Sequence, residues 1–450
     1  MSQNNTPSSA PSSTPGRAVC PPSAVSTGAG LAGLAGLLIW FAAARHWGMD
    51  GPDSALSSVA LCGVFMTAWS LMVDKVHRRP STGINWALRR DRRESFDITL
   101  VKLVGLWATW AIIAMAYGVM RYYWFGDYAF SMMVLGKISL LLVPLSLVYV
   151  AWLDRRLVEP RDGAWHFGQW LLGGDGVVAD MVAKHARAWL VKGFFLAFML
   201  SIVVGNFKPL IFRPWDEVLG NPVQFAGFAI SFLFMIDVHF ATVGYALTMR
   251  PLDAHIRTAN PYGMAWTAAL ICYPPFVLMG AGGPLNYTEG TADWNMWLDQ
   301  AHMPVWIFWV YGLMLVALTA IYAWATVAFG PRFSNLTHRG IITHGPYRFT
   351  RHPAYVAKNM FWWLSSITIL PWDGSVVTAL RNTVLLSVVS GVYYWRAKTE
   401  ERHLLADPAY RAYWEWAQEN ALIPRLFSRF NGMARPIILL EPDDRVGPVT

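Results

Sequence analysis

The chain has 450 residues, of which 55% are apolar and only 14% charged. Average soluble domains carry about 25% charge, so there is too little here to wet the surfaces of a soluble enzyme. Lys and Arg number 36 against 28 Asp and Glu, a formal charge of +8. A disordered chain and a disulfide scaffold are excluded as well, and an all-α, polytopic integral membrane protein remains.

Residues 1–26 are rich in Ser, Pro and Thr and read as a disordered tail. Cys20 follows Gly16-Arg17-Ala18-Val19 with no apolar run before it, so cleavage of a lipoprotein type is not expected. The first apolar run begins near Gly28, too far in for an ordinary cleaved signal peptide, and is expected to stay as a membrane helix. Cys62 and Cys272 lie within apolar stretches and read as small buried hydrophobes. A span needs roughly 20 mostly apolar residues. On that criterion runs fall near 28–47, 54–73, 99–119, 129–153, 188–206, 223–248, 262–282 and 304–329. Two tighter runs follow at 356–371 and 375–396, separated only by Trp372-Asp373-Gly374, which reads as a C-terminal helical hairpin. About ten spans are therefore expected.

Lys and Arg collect on the cytoplasmic side of membrane proteins. Segment 74–97 holds seven of them, Lys75, Arg78, Arg79, Arg89, Arg90, Arg92 and Arg93. Segments 154–187 (Arg155, Arg156, Arg161, Lys184, Arg187), 249–260 (Arg250, Arg257) and 330–352 (Arg332, Arg339, Arg348, Arg351) are also basic. The alternate loops 49–53 and 283–302 carry acidic residues and no Lys or Arg, while 207–222 is mixed. Every second loop is basic, so both termini are expected in the cytoplasm. The positive balance then reports topology and contact with anionic headgroups, and needs no nucleic acid to explain it.

Ionisable groups inside spans are candidates for function. Lys137 and Lys192 sit near span ends, where snorkelling accounts for them. Asp237 and His239 lie deeper but face directions about 200° apart on a helix, a poor bidentate metal pair. Pairing between helices is the first reading for them, and a functional pocket the second. Arg250-Pro251-Leu252-Asp253-Ala254-His255 follows on the same expected cytoplasmic surface. Pro274-Pro275 should kink or break the span at 262–282, freeing backbone groups.

The most informative stretch runs from Gly340-Ile341-Ile342-Thr343-His344-Gly345-Pro346-Tyr347 to His352-Pro353-Ala354-Tyr355. Gly345-Pro346 is a turn signal, and Pro353 suits the first position of a helix. Beyond the expected hairpin comes Arg396-Ala397-Lys398-Thr399-Glu400-Glu401-Arg402-His403-Leu404, then Tyr410, Tyr413 and Leu422-Ile423-Pro424-Arg425-Leu426-Phe427. A hairpin returns the chain to the face it left, so it should bring Arg396, Glu400 and Glu401 alongside Tyr347, His352 and Tyr355. Arg396 and Glu400 are four apart and share a helix face. Taken singly, each of these residues reads as a topology anchor or a surface pair; both halves flanking one hairpin favour a site. His338, His344 and His352 have no carboxylate or cysteine at ligand spacing, so no metal is expected.

Gly-Pro-Tyr-x4-His-Pro-x-Tyr, two helices, then Arg-x3-Glu-Glu-x2-Leu and Tyr-x2-Tyr resembles the isoprenylcysteine carboxyl methyltransferases and the related phospholipid methyltransferases over about residues 302–427. The resemblance implies a membrane-bound methyltransferase using S-adenosylmethionine on a lipophilic or lipid-attached acceptor. It implies cofactor contacts at Gly340, Ile341, Ile342, Thr343, Tyr347, His352, Pro353, Ala354, Tyr355, Glu400 and Glu401. Arg396, with Glu400, would be catalytic, the arginine lying beside the acceptor group. One departure is Arg339, standing where those enzymes carry a histidine, with His338 one place earlier. The residue types suit the chemistry: a carboxylate for an ammonium or hydroxyls, aromatic rings for a cation, and a guanidinium fork for an anionic acceptor. The expected organisation is a tail (1–26), an N-terminal membrane region of unknown role (27–300), a methyltransferase-like domain (301–430) and a C-terminal tail (431–450). The alternatives are an NADPH-dependent reductase of the sterol-reductase type, which has a similar Arg-His-Pro-x-Tyr pattern, and a non-enzymatic transporter or sensor.

Overall fold

The computed structural model describes residues 19–423 and 425; the remainder of both expected tails, with Pro424 and Leu426-Phe427 of the C-terminal pattern, lies outside them. Long apolar runs become helices because a helix satisfies every backbone polar group within its own segment. In chain order they are α1 (Thr27–Trp47), α2 (Pro52–Met72), α3 (Arg92–Val119), α4 (Asp127–Asp154), α5 (Gly163–Leu171), α6 (Ala179–Ile211), α7 (Trp215–Gly220) and α8 (Pro222–Ala246). The strand β1 (Thr258–Ala259) and the helices α9 (Gly263–Leu270), α10 (Trp294–Gln300) and α11 (Val305–Phe329) follow. The chain then continues through β2 (Thr337–His338), α12 (Pro353–Ser366), α13 (Val376–Leu404) and α14 (Pro408–Asn420). Polar side chains set several starts: Ser26, Asp91, Asp162, Asn221 and Asp407 accept from backbone N–H groups in the first turns of α1, α3, α5, α8 and α14.

Eight helices among the described residues are long and apolar enough to cross a membrane: α1, α2, α3, α4, α6, α8, α11 and α13. The chain reads as an integral membrane protein with eight such helices, against the ten expected. The two differences have local causes. At 262–282 the helix α9 stops at Leu270, ahead of Pro274-Pro275, and turns follow; the residue before a proline is pushed out of the helical region. At 356–371 the helix α12 starts earlier, at Pro353, and stops at Ser366, too short to span. Both segments nonetheless run alongside α13. Thr258 meets His403 near the end of α13 (2.9 Å), and the Glu289 carbonyl accepts from Asn382 near its start (2.7 Å). These anchors lie about 30 Å apart at 1.5 Å per residue. Similarly Tyr355 bonds Glu400, Trp363 bonds Ser390 and Thr368 bonds Thr383, so α12 and the turn after it oppose α13.

The largest buried apolar cluster joins α1, α2, α6 and α8 through Phe41, Met66, Phe207, Met235 and Phe240. His239 lies within this packing; its Nε2 shares a hydrogen bond with Ser58 on α2 (2.6 Å) and its Nδ1 one with the Met235 carbonyl (2.7 Å). That is the expected pairing between helices. Asp237 turns the other way, accepting from Tyr322 (2.8 Å) and Thr326 (2.5 Å) on α11.

The four basic segments gather at one end of the bundle. Asn85 N–H donates to the Arg156 carbonyl (2.8 Å), and Lys102 binds both Asp154 (2.6 Å) and Asp162 (3.1 Å). Asp253, buried in the third segment, receives the Arg332 guanidinium (2.5 Å) and the Ser81 hydroxyl (2.8 Å), with Arg257 (3.6 Å) and Arg79 (3.8 Å) nearby. Arg332 is also buried. Removing one member of a buried pair strands the other charge, at a cost of about 3–5 kcal/mol. Asp253→Asn should therefore lower the thermal unfolding temperature of the detergent-purified protein far more than Asp50→Asn, whose carboxylate lies 3.7 Å from an exposed lysine; equal shifts would refute the hub.

Candidate active site

The basic end holds a cavity of about 170 Å³. One wall is the loop after β2, another is the start of α12, and a third is the last turns of α13. Gly340, Ile341, Ile342, Tyr347, His352, Ala354, Tyr355, Arg396 and Glu400 all line it, so most of the expected site residues converge. Thr343, Pro353 and Glu401 do not line it. Thr343 bonds backward to the N-terminal segment, Pro353 opens α12, and Glu401 faces another way. Successive residues on a helix point about 100° apart, which separates Glu401 from Glu400. Glu401 accepts from Arg351 (2.7 Å), His352 (3.1 Å) and Lys398 (3.2 Å), beside a second groove of about 640 Å³ between α12 and α13. The cavity and groove share Arg351, His352, Tyr355 and Tyr393.

Arg396 and Glu400 share a face of α13 as expected, but they do not pair with each other. The Tyr355 hydroxyl donates to Glu400, and the Arg396 guanidinium lies over the rings of Tyr393 (5.1 Å), Tyr355 (5.2 Å) and Tyr273 (5.7 Å). Arg396 is 3% exposed; its Nη2 donates to Asn335 at 3.3 Å, and its Nε has no partner among the described residues. A surface helix pair would be solvated and closed upon itself. Here Arg396 is buried, Glu400 is half-buried, and both face the cavity. Burial also holds the Tyr347 phenol well above its ordinary range, with Tyr413 and Glu400 adding to the shift, so Tyr347 stays a neutral donor.

The loop that forms the first wall is held from behind. Gly340 has φ +105°, and a Cβ there would lie 2.7 Å from that of Ala24, so only glycine fits. The Arg339 side chain donates to the carbonyls of Gly244 (2.8 Å), Phe333 (2.9 Å), Leu247 (2.9 Å) and Pro331 (3.0 Å) and to that of Ala254, while Arg332 donates to the Arg339 carbonyl (2.8 Å). The departure from the expected histidine is thus an arginine occupied with backbone. Part of the expected tail is in place too. Ala24 N–H donates to the Ile341 carbonyl (2.8 Å), Thr343 Oγ1 to Pro21 O (2.9 Å), and His344 Nδ1 meets Ser23 Oγ (2.8 Å).

Sequence reasoning missed Asn260, Tyr273, Tyr322, Asn335 and Lys358, which also line the cavity. Lys358 carried a usable signal, being the sole charge within the apolar run 356–371. Tyr273 and Asn335 carried none, because their places depend on how irregular segments pack. The cavity also draws on both sides of the expected boundary near residue 300.

Residues 305–406 match the model of the isoprenylcysteine carboxyl methyltransferase (ICMT) family. No curated protein and no solved structure matches the chain. The matched segment holds α11, the loop, α12 and α13, while Asn260 and Tyr273 come from outside it.

If residues 19–25 brace the loop, a chain starting at Ser26 should exchange the amides of residues 340–348 at least tenfold faster, since each lost hydrogen bond is worth about 1 kcal/mol. Hydrogen exchange read by mass spectrometry measures this, and unchanged protection there would show that the loop stands without them.

Proposed function

We propose that this protein is a membrane-embedded, S-adenosylmethionine-dependent methyltransferase for a lipophilic acceptor, with its active site and both termini on the cytoplasmic side. The observation that carries the reading is the buried, open guanidinium of Arg396, set one turn from Glu400 on the family-matched segment and facing a tyrosine-lined cavity.

The residues present suit the cofactor. Glu400 offers a carboxylate for its ammonium or ribose hydroxyls, the tyrosine rings suit its cationic sulfur, and Gly340 to Ile342 form part of the cavity wall. When bound, the cofactor supplies an activated methyl group, so the protein's task is positioning and exclusion of water rather than strong acid catalysis. Arg396 would orient an anionic acceptor group such as a carboxylate or phosphate, its fork suited to two oxygens. Tyr355 ties Glu400 to α12, fixing one wall relative to the other. The groove between α12 and α13 is mostly apolar, with Met360, Trp363 and Leu364 along it, and would admit a lipid tail from the side.

Titrating the detergent-purified protein with S-adenosylmethionine and, separately, NADPH tests the reading. The methyl donor should bind and NADPH should not, and Glu400→Gln and Tyr347→Ala should each weaken donor affinity about tenfold or more. Donor binding indifferent to both changes, or NADPH binding alone, would overturn it. Arg396→Lys should depress turnover more than donor affinity; equal losses would reassign Arg396 to the cofactor pocket.

A further inference from the structure

Lys358 is a cation that neither the family-matched motif nor the proposed role of Arg396 uses. It projects from α12 into the same cavity, between the rings of Trp362 (5.2 Å), Tyr322 (5.4 Å) and Tyr393 (5.6 Å). Among the described residues it forms no hydrogen bond or ion pair. The nearby carboxylate of Asp237 is already held by the hydroxyls of Tyr322 and Thr326. Tyr393 is shared: Arg396 lies over the same ring at 5.1 Å. Two cations thus face one cavity across a single aromatic ring. Of the other guanidiniums lining the cavity, Arg332 binds Asp253, Arg339 binds backbone and Arg351 binds Glu401 through its Nε, its Nη1 having no partner among the described residues. Lys358 is half-buried, and an aromatic cage compensates an ammonium for lost water only in part. A bound anion would make up the difference.

We propose that Lys358 is a second anion anchor, paired with Arg396 across Tyr393, and that together they select acceptors by the negative charge of the reacting end. The inference deepens the methyltransferase reading and rests on it for the identity of the bound molecule as an acceptor. Neutral isosteres would leave the buried Arg396 and the half-buried Lys358 with no anion between them, and cationic acceptors would add a third positive charge. Lys358 is accordingly a specificity-determining residue, and cofactor binding through Glu400 should be insensitive to it.

The test uses three probes with one tail: S-farnesyl mercaptopropionate, its primary amide and S-farnesyl cysteamine. Binding of each to the full-length protein in detergent is measured by calorimetry, beside binding of S-adenosylmethionine. The carboxylate should bind at least tenfold tighter than the amide, with the amine weakest. Lys358→Gln and Lys358→Met should shrink the carboxylate-to-amide ratio to threefold or less and leave methyl-donor affinity within twofold. Lys358→Arg should restore the ratio. A ratio unchanged in both neutral variants, or carboxylate and amide bound equally by the unaltered protein, would overturn the proposal. So would parallel loss of donor and acceptor affinity, which is what a merely structural lysine predicts. The two readings fail separately: discrimination without donor binding removes the methyltransferase and keeps the anion site, and donor binding without discrimination does the reverse.

Discussion

Burying a guanidinium demands that its donors find acceptors within the protein, and two such groups organise the end of this molecule where the cavity lies. Arg332 reaches Asp253 and the backbone of Arg339, and Arg339 spans carbonyls from Gly244 to Phe333. Between them they tie the end of α8, the segment after it and the loop after α11 into one unit. The antiparallel pairing of Thr258 with His338 and of Ala259 with Thr337 closes the same junction. Gly340 and the cavity wall follow directly from it, because their backbone path is set by the arginine immediately before them.

The second constraint is the absence of water at membrane depth. Irregular backbone is tolerated there only where protein buries it or where it lines a cavity. The turns after α9 satisfy this, with Leu278 N–H bonding the Ile271 carbonyl (3.0 Å) and Leu285 N–H bonding that of Leu278 (2.8 Å). They pack against α13, where Tyr287 meets Leu386 and Val389 in one buried cluster, and they present Tyr273 to Arg396. A regular helix through Pro274-Pro275 would have offered a different face. The interruption therefore has a place in the site, as one wall of the cavity around the arginine.

Much of the candidate site was legible in the residues. The turn at Gly345-Pro346, the helix beginning at Pro353 and the shared face of Arg396 and Glu400 are all local properties of spacing and backbone stereochemistry. Glu401 was less legible, because which of the two adjacent glutamates reaches the cavity depends on which side of α13 meets α12. Lys358 stood in plain view as an isolated charge in an apolar run, yet charge alone did not reveal its cage, which is assembled from α11, α12 and α13. The packing of Ser23 and Ala24 onto the loop from Ile341 to His344 was invisible, since a Ser- and Pro-rich segment has no periodicity from which to read a docking surface.

By itself the sequence determined that the chain is helical and of membrane type, because sparse charge and long apolar runs admit little else. It also determined that Gly340, Pro353, Arg396 and Glu400 belong to a local pattern resembling a methyltransferase. Only the tertiary structure decided that two of the ten apolar runs lack a helix long enough to span, that Arg396 faces tyrosines rather than Glu400, and that Tyr273 and Lys358 join it. Periodicity and turn chemistry act within a few residues, whereas a cavity is made by side chains that meet from segments more than a hundred residues apart.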